Sequence, residues 1–194
     1  SSDLKPRDST PVQLVVPQAD TIPLSEPTEG ADSILTAAYA VNVVAANTVA
    51  GANSALHDGE KVAVLPAATV SPVRLGGETV WYQVIIGAYA TRAEAEDLLQ
   101  LLRRKGVVHV DGGVVVRLPY GLLLADDVSS EDAEQVVRTW RAREVVAYAL
   151  RQTNGRVRVL AGAFETPAQA APLAAQLRRA GVPVTVAYRS GRMF

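Results

Sequence analysis

The chain has 194 residues, of which 48% are hydrophobic and 20% charged, so it can form one domain or two small ones around a buried core. Its 19 Lys and Arg residues nearly balance 20 Asp and Glu residues, and a net charge of -1 provides no overall field that would attract nucleic acid or anionic lipid. Because cysteine is absent, disulfides, thiolate nucleophiles and thiolate metal sites are excluded.

The first 35 residues are predicted to form a Pro-rich extended linker, in which only residues 12–16 have the composition of an edge strand. The apolar stretch that follows, residues 34–55, is interrupted by three asparagines, which argues against a membrane span. We therefore expect no membrane insertion by this segment and place any tether outside the chain.

An internal repeat organises the remaining residues. Thr91, Ser129 and Thr166 are each followed three positions later by an acidic or amide residue, which is the pattern of a helix N-cap. Apolar residues then recur at helical spacing, so each helix is predicted to bury one face. A weaker and shorter copy begins at Thr48.

Each predicted helix lies between two runs rich in Val, Ile, Leu or Tyr, which predicts a strand before and after it. The leading runs are residues 39–45, 81–86, 120–124 and 156–161; the trailing runs are residues 62–65, 107–110 with 114–116, 145–150 and 182–188. Gly76-Gly77 and Asn154-Gly155 predict hairpins that join the units in pairs.

The predicted fold is therefore α+β, with two tandem βαββαβ domains of ferredoxin-like build at residues 36–113 and 114–194. Each domain is expected to form an antiparallel sheet with two helices on one face. The glycines that end the run at residues 111–113 mark the expected boundary between them.

Residues 81–89 (WYQVIIGAY), 91–96 and 101–106 resemble the SPOR (sporulation-related repeat) domain family, and residues 157–164 (VRVLAGAF) with 177–181 repeat that resemblance. It implies βαββαβ modules that bind bacterial peptidoglycan without catalysis. The implied ligand is a glycan strand stripped of its stem peptides, and the implied location is extracytoplasmic, at the division septum. The first half of each copy departs from the family pattern.

A glycan-binding sheet face needs amide or hydroxyl partners and an aromatic plate, on the side opposite the helices. Strand parity points Trp81 and Gln83 outward in the first copy, and Arg156 and Arg158 in the second. Asn42 falls on the outward set too. These five residues are the candidate glycan-binding residues.

Several roles follow for these residues. Gln83 resembles the polar residue of the family motif, Asn42 is its expected counterpart in the preceding repeat, and Gly121 is the expected counterpart in the second domain. The first domain is therefore expected to bind better. Arg158 is expected to pair with the lactyl carboxylate that is freed when stem peptides are removed. Trp81 fits a sugar plate and a cross-strand contact equally well.

No pattern indicates an enzyme, a metal site or a cofactor. His57 and His109 lie far apart in sequence without clustered carboxylates, and no nucleophile elbow or phosphate-binding glycine loop occurs. Arginines near the predicted helix ends fit the helix dipole better than a nucleic-acid surface.

Two alternatives to glycan binding remain at this level. One is a degenerate repeat that acts as a protein-interaction scaffold for envelope or division proteins. The other is a small-molecule regulatory domain. A concave polar face over Asn42 and Gln83 favours glycan, an apolar face buried between the two domains favours the scaffold, and a closed pocket favours the regulator.

Overall fold

A computed structural model describes residues 24–27 and 36–194, so most of the predicted linker, including residues 12–16, lies outside the described residues. The first unit comprises β1 (Tyr39–Ala46), α1 (Val49–Glu60), β2 (Thr69–Arg74), β3 (Val80–Tyr89), α2 (Arg92–Arg104) and β4 (Val114–Arg117). The second comprises β5 (Tyr120–Val128), α3 (Ser130–Ala142), β6 (Ala147–Arg151), β7 (Val157–Phe164), α4 (Ala171–Arg179), preceded by a 3-10 turn (Pro167–Ala170), and β8 (Thr185–Tyr188).

Both units have the same topology. The strand orders are β2-β3-β1-β4 and β6-β7-β5-β8, and every pair is antiparallel. The predicted α+β fold with two βαββαβ units is confirmed. In the part of the chain that the structure describes, no helix is both long enough and apolar enough to cross a membrane.

All four predicted N-caps are present, because the hydroxyl oxygen of each cap accepts a hydrogen bond from a backbone N–H of the first turn. The pairs, with the acceptor first, are Thr48–Gly51, Thr91–Glu94, Ser129–Asp132 and Thr166–Gln169. The Thr91 hydroxyl also donates to the Glu94 carboxylate at 2.8 Å, so the two capping-box residues are in contact. Each such cap is worth about 1 kcal/mol, so the local signals in the sequence fix where the helices begin.

The predicted strand at residues 62–65 is wrong. The backbone N–H groups of Val62 and Ala63 donate to the Gly59 carbonyl and so terminate α1, and Val64 is 89% exposed. The strand in this position is instead β2, which begins at Thr69 and pairs with β3 across the predicted Gly76-Gly77 turn. Apolar composition alone cannot identify a strand that lacks a pairing partner.

The predicted strand at residues 107–110 is also absent. The Val107 N–H donates to the Leu102 carbonyl and closes the end of α2. Only β4 forms a strand here, and it pairs with β1 of the first unit. The first unit therefore extends through Arg117, past the expected boundary after residue 113.

The two units share an interface along β2 and β7. The Thr69 hydroxyl donates to the Val146 carbonyl at 2.8 Å and accepts from the Gly162 N–H at 2.8 Å, and the Ser71 hydroxyl accepts from the Ala163 N–H at 2.7 Å. Both hydroxyl residues are completely buried. Side-chain hydroxyls of the first sheet therefore satisfy backbone groups of the second unit that would otherwise be unpaired.

The Arg189 side chain is completely buried where the two units meet. Its guanidinium donates to the carbonyls of Gly87 (2.6 Å), Leu118 (3.1 Å) and Ala38 (3.5 Å), and to the Tyr148 hydroxyl (3.0 Å). The guanidinium also lies over the Tyr148 ring, 5.3 Å from its centroid. One side chain of the second unit thus connects the first sheet, the segment between the units and β6.

We predict that Arg189→Met lowers the free energy of unfolding by at least about 3 kcal/mol, because the Gly87 and Leu118 carbonyls and the Tyr148 hydroxyl lose a buried donor and each unsatisfied group costs about 1–3 kcal/mol. The measurement is the midpoint of urea denaturation. Arg192→Met is the matched control, since Arg192 is exposed, and is expected to change stability by less than about 0.5 kcal/mol. Equal effects of the two substitutions would contradict the assigned role of Arg189.

Candidate functional site

The face of the first sheet that points away from α1 and α2 carries three of the five predicted site residues. Asn42 lies opposite Ile85 in the β1–β3 ladder, and Gln83 and Trp81 follow on β3 at two-residue spacing. The neighbouring Val41, Val84 and Ile86 pack instead in the core beneath the helices. Asn42, Gln83 and Trp81 therefore share the outward face, as parity predicted.

An irregularity in β1 places Asn42 relative to Gln83. The pairing shifts between Asn42 and Val44, so that Ala45, rather than Val44, is the β1 partner of Gln83. Val43 and Val44 both pack against the helix-side core. The irregularity keeps Asn42 on the outward face while the next two residues turn inward.

Asn42, Gln83 and Trp81 are partly exposed, and none of them makes a side-chain hydrogen bond to another residue in the described ranges. The two amides each present donors and an acceptor, and the indole presents a flat ring and one N–H donor. This combination is suited to an uncharged polyhydroxylated ligand that also has an apolar face.

The second unit covers the rest of this face. Thr69, Ser71, Val73 and Ile85 are all at most 2% exposed. Val73 joins the core of the second unit, and Ile85 packs with Ala163 of β7. The outward face of the first sheet is thus divided into a closed part, which covers β2 and reaches Ile85 of β3 and Ala40 of β1, and an open part that contains Asn42, Gln83 and Trp81.

Arg156 and Arg158 lie on the second unit, at the start of β7, and the structure gives each of them an acidic partner. The Arg156 Nε is 2.8 Å from Asp127 Oδ1, and the same guanidinium donates to the Asp127 carbonyl. The Arg158 Nε is 3.2 Å from Asp126 Oδ1, and its side chain is only 15% exposed. Arg156 and Arg158 therefore lie on a different sheet from Asn42, Gln83 and Trp81, and unlike those three residues they are charged and paired with an aspartate.

The register also corrects the expected counterparts in the second unit. Leu123 lies opposite Leu160 as Asn42 lies opposite Ile85. The counterpart of Asn42 is therefore Leu123 rather than Gly121, and Gly121 corresponds to Ala40. An apolar residue stands in the second unit where the first has an amide.

Gly87 in β3 and Gly162 in β7 each stand two residues before the aromatic residue that ends the strand, and both support the interface. Gly87 has φ +94° and Gly162 has φ +71°, and a side chain at either position would approach the Tyr89 or Phe164 ring within 3 Å. The Gly87 carbonyl accepts from Arg189, whereas the Gly162 carbonyl accepts from the Tyr148 hydroxyl at 2.7 Å. Sequence reasoning missed Arg189 and Tyr148, because neither forms part of a motif.

The described residues contain no group of three or more His, Cys, Asp or Glu side chains that could hold a metal ion.

Comparison with protein families identifies the first unit. Residues 36–110 match the model of the SPOR domain. The first unit is a SPOR domain. SPOR domains bind peptidoglycan, and the family is one of binding domains rather than enzymes. Comparison with curated proteins and with solved structures gave no match. That the second unit is another SPOR copy stays a prediction, although it repeats the topology of the SPOR domain.

We predict that Thr69→Val lowers the free energy of unfolding by about 1–3 kcal/mol, because the Gly162 N–H and the Val146 carbonyl lose their buried partner. Thermal or urea denaturation measures the effect. Thr185→Val is the matched control, since Thr185 is exposed on β8 and is expected to tolerate the exchange. A cost at Thr185 as large as that at Thr69 would argue against the interface described above.

Proposed function

We propose that the chain binds peptidoglycan glycan strands through the open part of the outward face of the SPOR domain, and does so without catalysis. The observation that carries the proposal is the group of Asn42, Gln83 and Trp81, whose side-chain polar atoms have no hydrogen-bond partner among the described residues. Membership of the SPOR family supplies the class of ligand.

The chemistry of the three side chains supports a sugar ligand. Sugar hydroxyls exchange hydrogen bonds with carboxamides, and the apolar side of a pyranose ring packs on an indole. The three candidate residues carry no charge, so binding is expected to depend weakly on salt. This distinguishes the site from one that would bind a polyanion.

The division of the face supports a preference for glycan without stem peptides. Because the second unit covers β2 and also Ala40 and Ile85, the open part is a strip that the second unit borders. A linear strand fits such a strip, whereas bulky peptide branches would collide with the second unit. We accordingly propose that the protein acts in the cell envelope, at sites such as the division septum where stripped glycan accumulates.

Arg156 and Arg158 have a smaller part in this proposal. The Arg158 guanidinium would reach a lactyl carboxylate only by giving up its contact with Asp126, and this partly buried pair resists such an exchange. The Arg156–Asp127 pair is exposed and lies on the second unit, away from Asn42, Gln83 and Trp81. We therefore assign glycan recognition mainly to the first unit.

One observation favours a scaffolding role for the second unit. Its β7 packs Ala163 against Ile85 and Ala40 of the first sheet, forming an apolar contact that is completely buried. This is the apolar interface that a protein-interaction scaffold predicts, but it lies within one chain. We infer that the second unit supports and borders the glycan site of the first.

We predict that Gln83→Ala and Asn42→Ala each weaken binding to amidase-treated sacculi by roughly three- to tenfold, the value of one net hydrogen bond. Trp81→Ala is expected to do the same, whereas Trp81→Phe retains the aromatic plate and most of the binding. Pelleting with sacculi, before and after removal of stem peptides, measures the effect.

Gln100→Ala is the matched control, because Gln100 is exposed on α2, on the opposite side of the sheet. Wild-type chain is expected to pellet more strongly with treated sacculi. The proposal fails if no pelleting occurs with either preparation, or if Gln83→Ala and Gln100→Ala behave alike.

We also predict that Arg158→Gln changes pelleting by less than about twofold, because Asp126 already holds this guanidinium. A loss as large as that of Gln83→Ala would instead place the lactyl carboxylate at Arg158 and extend the site to the second unit.

A further inference from the structure

A short piece of the N-terminal region lies against the second unit. The Glu26 carboxylate accepts hydrogen bonds from the Tyr120 hydroxyl, at 2.9 and 2.8 Å to its two oxygens, and from the Tyr188 hydroxyl at 3.0 Å. Tyr120 and Tyr188 face each other across the β5–β8 ladder, with ring centroids 5.3 Å apart. Two hydroxyls on rigid strands thus converge on one carboxylate.

The contact with Glu26 also affects the pKa of the tyrosine hydroxyls. Partial burial and the neighbouring Glu26 carboxylate raise the pKa of Tyr120 to about 12. A neutral hydroxyl donates to a carboxylate, whereas a phenolate would be repelled by it. Both tyrosines therefore remain donors throughout the physiological range.

The segment that carries Glu26 also makes an apolar contact with the second unit. Leu24 packs against the core of the second unit that includes Val182, Val184 and Val186. A cleft of about 290 Å³ lies between Leu24–Pro27 and β8, and Leu123, Arg158 and Arg178 also line it. We call the surface formed by Tyr120, Tyr188 and this cleft the β8 groove.

The β8 groove lies at a sheet edge. In the described chain β8 pairs with β5 alone, so its other side is open to an extended segment. Just beyond β8, Thr36 forms an isolated antiparallel bridge with Ser190, and the Ala37 N–H donates to the Arg189 carbonyl. The chain therefore meets this edge both at residues 24–27 and at residues 36–37.

The part of the groove at Leu123 and Arg158 is also the counterpart of the candidate glycan site. When Gly87 of β3 is aligned with Gly162 of β7, Leu123 corresponds to Asn42 and Arg158 corresponds to Gln83. An apolar residue in place of an amide suits an apolar peptide side chain better than a sugar, whereas the Arg158 guanidinium is already paired with Asp126.

From these observations we propose that the β8 groove is a peptide-docking site, and that its occupant is this chain's own Leu24–Pro27 segment, recognised by an apolar residue and by a glutamate two positions later. Docking fixes the place where the Pro-rich region leaves the second unit. As a linked segment, it occupies the groove at an effective concentration on the order of millimolar.

The test uses a full-length variant, called the emptied variant, in which Leu24→Asp and Glu26→Lys prevent the chain's own segment from binding to the groove. The ligand is a fluorescently labelled peptide of residues 20–30. The emptied variant is expected to bind this peptide on the order of tenfold more tightly than a peptide carrying Glu26→Gln. It is also expected to bind at least about tenfold more tightly than the wild-type chain, whose own segment competes. Adding Tyr120→Phe and Tyr188→Phe to the emptied variant is expected to abolish the preference for Glu, whereas Tyr39→Phe leaves it unchanged.

Three results would overturn the proposal. An emptied variant with native circular dichroism that binds neither peptide shows that the groove is not a docking site. Equal binding of the two peptides removes the role of the carboxylate. Equal binding by the wild-type and emptied chains shows that the segment does not occupy the groove.

A second measurement tests docking without a free peptide. Glu26→Gln is expected to speed amide hydrogen exchange at Leu24–Glu26 by on the order of tenfold. Glu96→Gln, on the exposed side of α2, is expected to leave that exchange unchanged. Equal exchange in the two variants would also count against the proposal.

Discussion

The arrangement of the two units depends on the buried positive charge of Arg189, which has no carboxylate partner in the described part of the chain. Among the described residues, Arg189 bonds only to three backbone carbonyls and a tyrosine hydroxyl. An isolated charge in an apolar interior is costly, and only acceptors that are already aligned offset that cost. Here the acceptors come from both units and from the segment that joins them, so the charge is satisfied only when the units are packed together.

This constraint determines how much of the SPOR sheet a ligand can reach. Packing that satisfies Arg189 also brings β7 onto β2, where Thr69 and Ser71 use their hydroxyls to bind backbone N–H groups. Those hydroxyls are then unavailable to a sugar. The candidate site is therefore confined to the partly exposed Asn42, Gln83 and Trp81, and its shape is a property of the pair of units rather than of one domain.

Sequence patterns predicted the features that depend on local chemistry. The N-caps, the Gly76-Gly77 hairpin and the outward parity of Gln83 need only neighbouring residues, and the structure contains all three. The strand expected at residues 62–65 was wrong because strand formation depends on a distant partner. Arg189 and Glu26 were not found, since their partners are up to 162 residues away and no spacing marks them.

The two units also show how one fold can take two roles. Gly121 stands where the first unit has Ala40, and a Cβ at Gly121 would lie 2.9 Å from the Tyr148 hydroxyl, which binds the Gly162 carbonyl and Arg189. A larger residue there would displace the tyrosine that supports the interface. The neighbouring change from Asn42 to Leu123 removes the amide that a sugar would use. The second unit therefore uses its outward face for packing and also contacts the chain's own Leu24–Pro27 segment. Because the same sheet face carries partly exposed amides in the first unit, one topology presents a polar candidate site in one unit and a packing surface in the other.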